Sequence, residues 1–141
     1  MRRVRFNAYG HQNVIGEHKS TVEITSEDYL TKQGTCIVGV RANLTLNELD
    51  TEIKEMARLN TTKIVLKMMV DGLVEEVTGT GGSRLTYSDS TSMVARTSSY
   101  QCGRTLMINA DKAASDLSRK FIDRLKDNNV EMTCELTFFT Q

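Results

Sequence analysis

The sequence predicts an α+β fold, mainly an antiparallel β sandwich or barrel with two helices. Three observations predict it. Short stretches alternate apolar and polar residues with the period of two that a half-buried strand requires. The dipeptide Asp71-Gly72 joins a pair of such stretches in the manner of a hairpin turn. Helix-like spacings of three and four stand irregularly among the strands, whereas a parallel sheet needs strands and helices in regular succession.

Taken in order, Val4, Phe6 and Ala8 alternate with Arg3, Arg5 and Asn7, and Val22 and Ile24 alternate with Thr21, Glu23 and Thr25. Ser26 followed by Glu27 and Asp28 predicts a capped helical turn ending at Gly34. The apolar run Cys36 to Val40 is too short for a helix and reads as a buried strand. Thr45 and Glu48 have capping-box spacing, and Leu46, Leu49, Ile53, Met56 and Ala57 line one face, which predicts a helix over 46–58. Ile64 to Val70 and Leu73 to Val77 form the hairpin, with Val70 facing Leu73, Leu66 facing Val77 and Lys67 facing Glu76. After a turn at Gly79 to Gly82 come strand-like pieces at Leu85-Thr86-Tyr87, Met93-Val94-Ala95 and Leu106-Met107-Ile108. A second helix over 111–126, opened by Asn109 or Asp111, carries the stripe Ala110, Ala114, Leu117, Phe121 and Leu125. Val130, Met132, Cys134, Leu136 and Phe138 then define one face of a last strand. Proline is absent, against roughly seven expected at an average usage of about 5%. Gly, Asn, Asp and Ser must therefore make the turns. No internal repeat, low-complexity segment or linker is visible, so residues 1–141 read as a single domain.

Composition narrows the function classes. Lys plus Arg number 18 and Asp plus Glu number 18, which excludes a globally polycationic nucleic-acid binder. A basic arm of Arg2, Arg3 and Arg5 is the one feature favouring nucleic acid. The four Phe, four Tyr and absent Trp offer little for base stacking, so nucleic acid is an unlikely partner. Cys36, Cys102 and Cys134 are odd in number and widely spaced, which suits reduced thiols in a cytosol rather than a disulfide framework. No apolar run approaches the roughly 20 residues that span a bilayer. The expectation is a cytoplasmic protein with no membrane partner.

The only histidines, His11 and His18, lie in one glycine-flanked segment with Asn13 and Glu17, and imidazole is the side chain best suited to proton transfer near neutral pH. They are the candidate catalytic residues. Arg96, Ser98 and Arg104 combine guanidinium forks with a hydroxyl, the chemistry that recognises phosphate or carboxylate. Together with Asn13, Thr21 and Glu23 they are the candidate ligand-binding residues, expected to share a pocket with the histidines. Structural salt bridges to Glu23, Glu131 or Glu135 are the competing use of the arginines. Gly79-Thr80-Gly81-Gly82-Ser83 lacks the Gly-Lys-Ser/Thr ending of a phosphate loop and reads as a turn. A zinc site would need ligands beyond the histidines, so no metal is assigned. Cys36 and Cys134 read as small core hydrophobes, and Cys102, beside Gly103 and near the arginines, as the most reactive thiol. Arg119 sits off the apolar stripe and is expected to pair with Asp123 or Asp116.

Several of these segments in the same order resemble a known family: Phe6-x-Ala8-x-Gly10-His11-x-Asn13, His18-x-Ser20-Thr21-Val22-Glu23-Ile24-Thr25, Cys36-Ile37-Val38-Gly39-Val40, Arg96-x-Ser98 with Arg104-Thr105-Leu106, and Ala110-Asp111-Lys112-Ala113-Ala114-x-Asp116. The chain resembles, over nearly its whole length, the small archaeal proteins known as domain of unknown function 371. One departure is Thr35, where the family often carries an acidic residue. The resemblance implies an archaeal source and a compact, jelly-roll-like β fold. It implies no activity or cofactor. It also implies that the family's recurring polar positions fall on His11, Asn13, His18, Thr21, Glu23, Arg96, Ser98, Arg104 and Asp111.

The sequence names no reaction, no cofactor and no oligomeric state. Its leading expectation is a site for a phosphate- or carboxylate-bearing small molecule built from the histidines and arginines. A non-catalytic scaffold and a nucleic-acid accessory module are the alternatives.

Overall fold

The alternation read from the sequence becomes eight strands in a computed structural model of the chain, of which residues 1–140 are described. They are β1 (Arg2–Tyr9), β2 (Thr21–Thr25), β3 (Ile37–Gly39), β4 (Lys63–Val70), β5 (Leu73–Thr80), β6 (Ser92–Arg96), β7 (Thr105–Met107) and β8 (Glu131–Phe139). One sheet has the order β1-β8-β4-β5 and is antiparallel throughout. The other has the order β3-β2-β6-β7, antiparallel at its centre but parallel in both outer pairs. Bridges between Tyr9 and Val40 and between Thr80 and Ile108 link the two sheets along both sides. Each bridge pairs the end of one edge strand with the chain beyond an edge strand of the other sheet, so part of each edge is covered. The parallel pairs set this arrangement apart from a jelly roll, which is built of antiparallel strands. That part of the resemblance is not reproduced.

The core lies between the sheets. Phe6, Ala8, Ile64, Leu66, Met68, Met132, Leu136 and Phe138 from one sheet meet Val22, Ile24, Met93, Ala95 and Leu106 from the other. Tyr87 stacks edge-on against Phe138 at 6.3 Å, and its hydroxyl donates to the Leu106 carbonyl at 2.7 Å, so its one polar atom is satisfied. The hairpin has the expected register, with Val70 opposite Leu73, Leu66 opposite Val77 and Lys67 opposite Glu76. Asp71 and Gly72 both have positive φ, 48° and 79°, as a type I′ turn demands.

Both helices are shorter than their periodicity predicts. The first divides into a 3₁₀ turn, Leu46–Glu48, and α1 (Thr51–Ala57). The Thr45–Glu48 box exists, the Glu48 carboxylate accepting the Thr45 N–H at 2.8 Å, but it caps only the 3₁₀ turn. Leu49 is extended, and Asp50 restarts the helix by accepting the Ile53 N–H at 2.9 Å. The second divides likewise into Ala114–Asp116 and α2 (Arg119–Arg124), capped by Ser118. Asn109 is left-handed and Asp111 accepts the Thr78 N–H of β5, so neither opens a helix. The Ser26 to Gly34 segment forms bends and a turn instead of a helix: the Ser26 N–H pairs with the Thr91 carbonyl, the Glu27 N–H with the Thr25 hydroxyl, and the Gly34 N–H with the Thr31 carbonyl. Leu85 to Tyr87 is not a strand, Tyr87 having φ of 50°. Among the described residues no helix is long and apolar enough to cross a membrane.

The backbone carries a repeat that residue identity conceals. The succession of three strands, 3₁₀ turn, helix and strand occurs first as β1 to β4 and again as β5 to β8. Matching hydrogen bonds bind it: Tyr9 N–H to Val40 and Thr80 N–H to Ile108, Glu23 N–H to Cys36 and Val94 N–H to Arg104. The Asn43 and Asp111 side chains accept from Asn7 and Thr78 in the same way. Left-handed residues recur at Gly16 and Tyr87, and at Arg41 and Asn109. Thr21 opposes Arg96 and Thr25 opposes Ser92, each residue facing the counterpart of the other, so the halves are related by an approximate two-fold axis. The expectation of no internal repeat is corrected accordingly.

Candidate functional site

The two histidines have separate hydrogen-bond partners. His18 is bound into the turn before β2, its Nδ1 accepting the N–H groups of Ser20 and Thr21, each at 3.2 Å, and lying 3.0 Å from the Thr21 hydroxyl. In the other half Asp89 does the same, accepting the N–H groups of Thr91 and Ser92. Across the sheet Thr21 stands opposite Arg96, so this end of the histidine segment does lie beside the first arginine. The Arg96 Nε donates to the Thr105 hydroxyl at 2.8 Å, and its guanidinium stacks on Tyr100 at 4.8 Å. Glu23 takes no arginine; it accepts from the Cys36 thiol at 3.3 Å. Ser98 accepts the Tyr100 N–H, and the exposed Arg104 forms no ion pair among the described residues. Asn13 donates to the Leu30 carbonyl at 2.8 Å.

The cysteines divide by environment. Burial, with the Glu23 charge beside it, pushes the Cys36 thiol up to about 11, and burial also pushes Cys134 upward. Burial raises Cys102 as well, but the Thr105 hydroxyl, the Arg104 backbone and the Arg96 guanidinium outweigh it and hold that thiol below its ordinary value. The amino-terminal arginines are not a free arm. Arg2 is paired with Asp50 and Glu52, and Arg3 and Arg5 with Glu135, whose carboxyl they hold below the usual range, the Arg5 hydrogen bond contributing most. Gly81 is a packing glycine: a Cβ there would stand 2.4 Å from the Ala57 and Leu59 carbonyls, so it serves the close approach of the end of β5 to α1.

His11 lines a cleft at the end of β1. Gly10 lets β1 end against the α2 to β8 connection, since a Cβ at that position would lie 2.4 Å from the Asp127 carbonyl. The chain then turns, and the His11 N–H donates to Leu125 at 2.8 Å. A cleft of about 320 Å³ opens here, lined by His11, Asp28, Val40, Arg41, Asn128 and Asn129. The His11 Nδ1 accepts the Asn13 N–H at 3.0 Å, so the neutral ring carries its proton on Nε2. Arg41 is a left-handed residue, φ 54°, a conformation uncommon for a long side chain. Its guanidinium lies 4.3 Å from the Tyr9 ring centre and donates to the Asn128 carbonyl at 2.8 Å. It has no carboxylate partner among the described residues. The Asn128 Oδ1 accepts the Gln12 N–H at 2.7 Å, which leaves the amide NH₂ as donor.

The profile described as Domain of unknown function (DUF371) matches residues 6–139. The chain belongs to the DUF371 family. An uncharacterized protein of Methanocaldococcus jannaschii is 44% identical over 120 residues, covering 85% of this chain and 88% of the relative. Of the residues lining this cleft His11 is a sequence candidate, whereas Arg41, Asn128 and Asn129 are not. A signal was present: Val40-Arg41-Ala42-Asn43 has the pattern of Ile108-Asn109-Ala110-Asp111, and only the first copy places a cation at the left-handed position. Among the described residues no group of three or more His, Cys, Asp or Glu side chains is placed to hold a metal ion.

Proposed function

We propose that the His11 cleft binds a small molecule bearing a phosphate or carboxylate. The observation that carries this is the convergence of His11 with Arg41, a cation fixed by a ring and a carbonyl but paired with no acid among the described residues. A guanidinium with free N–H groups, an imidazole N–H and two carboxamides make a set rich in donors, which suits an oxyanion. Asp28 is the exception, and it favours a ligand that also carries a hydroxyl or amino group to donate to it. The volume lies near the lower end of the roughly 300–1,000 Å³ usual for such sites.

The test is a thermal-shift screen of phosphorylated and carboxylated metabolites on the wild type, on Arg41→Ala, and on the double variant Arg96→Ala, Arg104→Ala. Arg41→Ala keeps a non-glycine residue at the same φ and loses one exposed hydrogen bond and a stacked cation, so its own melting point should fall by only a few degrees while ligand stabilisation disappears. The double variant should retain it. If the double variant loses ligand stabilisation and Arg41→Ala keeps it, the anion binds beside β6 and the His11 reading fails.

A further inference from the structure

The internal two-fold carries the His11 cleft onto a second one. Val40 and Ile108 correspond through their bridges to Tyr9 and Thr80, and Arg41 and Asn109 through their shared left-handed backbone. His11 corresponds to Gly82, whose N–H donates to Ala57 as that of His11 does to Leu125. Around these positions lies a cleft of about 510 Å³ lined by Arg58, Leu59, Asn60, Gln101, Ile108 and Asn109.

What replaces the imidazole is informative. In the first cleft the Asn13 N–H donates to His11 Nδ1 at 3.0 Å, and in the second the corresponding Arg84 N–H donates to Gln101 Oε1 at 2.7 Å. A Cβ on residue 82 would lie 2.6 Å from that same oxygen. The Gln101 amide, arriving from a different loop, therefore stands where a side chain of residue 82 would begin. With Oε1 committed to Arg84, its NH₂ group is left as a donor, as Nε2 is in His11. The cation is rebuilt as well: Asn109 stands at the position of Arg41, and Arg58 supplies the charge. Apolar surface is added, since Leu59 is 50% exposed and Ile108 is beside it in the lining, where the first cleft has only Val40.

We infer that this second cleft is a binding site in its own right, for a nucleoside monophosphate. Asn60 brings a carboxamide, and Asn109, whose Nδ2 donates to the Thr80 hydroxyl at 3.5 Å, keeps its carbonyl oxygen and a second N–H, so the pair supplies the donors and acceptors that the edge of a nucleobase requires. Leu59 and Ile108 give the ring an apolar wall, and Arg58 takes the phosphate in a fork. Among the described residues nothing acidic lines this cleft to repel the phosphate. The inference is independent of the anion proposed for the first cleft.

The experiment is a titration of the full chain with AMP, GMP, CMP, UMP and inorganic phosphate, followed by calorimetry and by the side-chain amide resonances. At least one monophosphate should bind ten-fold or more tightly than inorganic phosphate and shift the Asn60, Gln101 and Asn109 amides. Arg58→Ala, at an exposed position, should weaken it ten-fold or more with an unchanged melting point. Gly82→Ala, which displaces Gln101, should weaken it too, whereas Arg41→Ala should leave it as it was. Equal binding of phosphate and monophosphates, shifts confined to the His11 cleft, indifference to Arg58→Ala, or no binding of any monophosphate would each overturn the assignment.

Discussion

Arg119 shows how one side chain can close a structure without an ionic partner. Its guanidinium donates to the carbonyls of Leu117 at 2.8 Å, Ala114 at 2.9 Å and Gly16 at 3.0 Å, tying the loop before β2 to the start of α2. Neither Asp116 nor Asp123 takes it; Asp123 pairs with Lys126 instead. The expected ion pair is thus corrected, and the energetic expectation changes with it. An exposed pair contributes a few tenths of a kcal/mol, whereas removing a charged donor from several carbonyls costs about 1–2 kcal/mol even where water partly replaces it. Arg119→Ala should lose about that much in urea denaturation, and Asp123→Ala almost nothing; equal, negligible losses would show that water replaces the guanidinium freely. The same substitution of partners explains what the sequence hid at the site. His11 was legible because imidazole between glycines is chemically conspicuous. Arg41 was not, because its significance lies in a left-handed backbone and a stacked ring, neither of which has a motif. His18 closes the turn before β2 as Asp89 closes its counterpart, so the turn itself does not require an imidazole.

The β4–β5 hairpin is the element where local pattern and tertiary structure agree most closely. Strict alternation specifies the buried face, and Asp71-Gly72 specifies the register, so a slip by one residue would expose Leu66 and Met68. Gly72 meets nothing within 4 Å of an added Cβ, which isolates the backbone effect from any clash. Gly72→Val should therefore cost on the order of 1 kcal/mol or more, because φ of 79° is poorly tolerated by a β-branched residue. An unchanged denaturation midpoint would mean that the turn relaxes to another type. The helices were less legible for a definable reason. Leu46, Leu49 and Ile53 have helical spacing and are all buried, but they reach the core from two short pieces meeting at an extended Leu49. Periodicity reports which side chains are buried, and it does not report a break that keeps them buried. Only Asp50 and Ser118, both good caps, marked the restarts.

Across the whole molecule the two halves are interleaved rather than juxtaposed. β1 pairs with β8 of the other half, β5 with β4, and both sheet centres, β4 with β8 and β2 with β6, are contacts between halves. Either half alone would leave β2 without its antiparallel neighbour and β4 without β8, exposing Val22, Ile24, Ile64 and Leu66 together. A chain of that size buries only about 60% of its surface even when complete. Cutting between Asp71 and Gly72, an exposed turn, should consequently give fragments 1–71 and 72–141 that do not unfold cooperatively as monomers. Mixed in equal amounts they should form a one-to-one complex with the far-ultraviolet circular dichroism of the intact chain, because every strand then recovers its partner and only a surface connection is lost. The approximate two-fold adds a further expectation: fragment 1–71 alone should tend to self-associate, since a second copy can offer β2 and β4 in the places of β6 and β8. Size-exclusion chromatography with light scattering separates these species. A fragment 1–71 that is monomeric and melts cooperatively would show that one half contains a sufficient core, and the interleaved account of stability would fail.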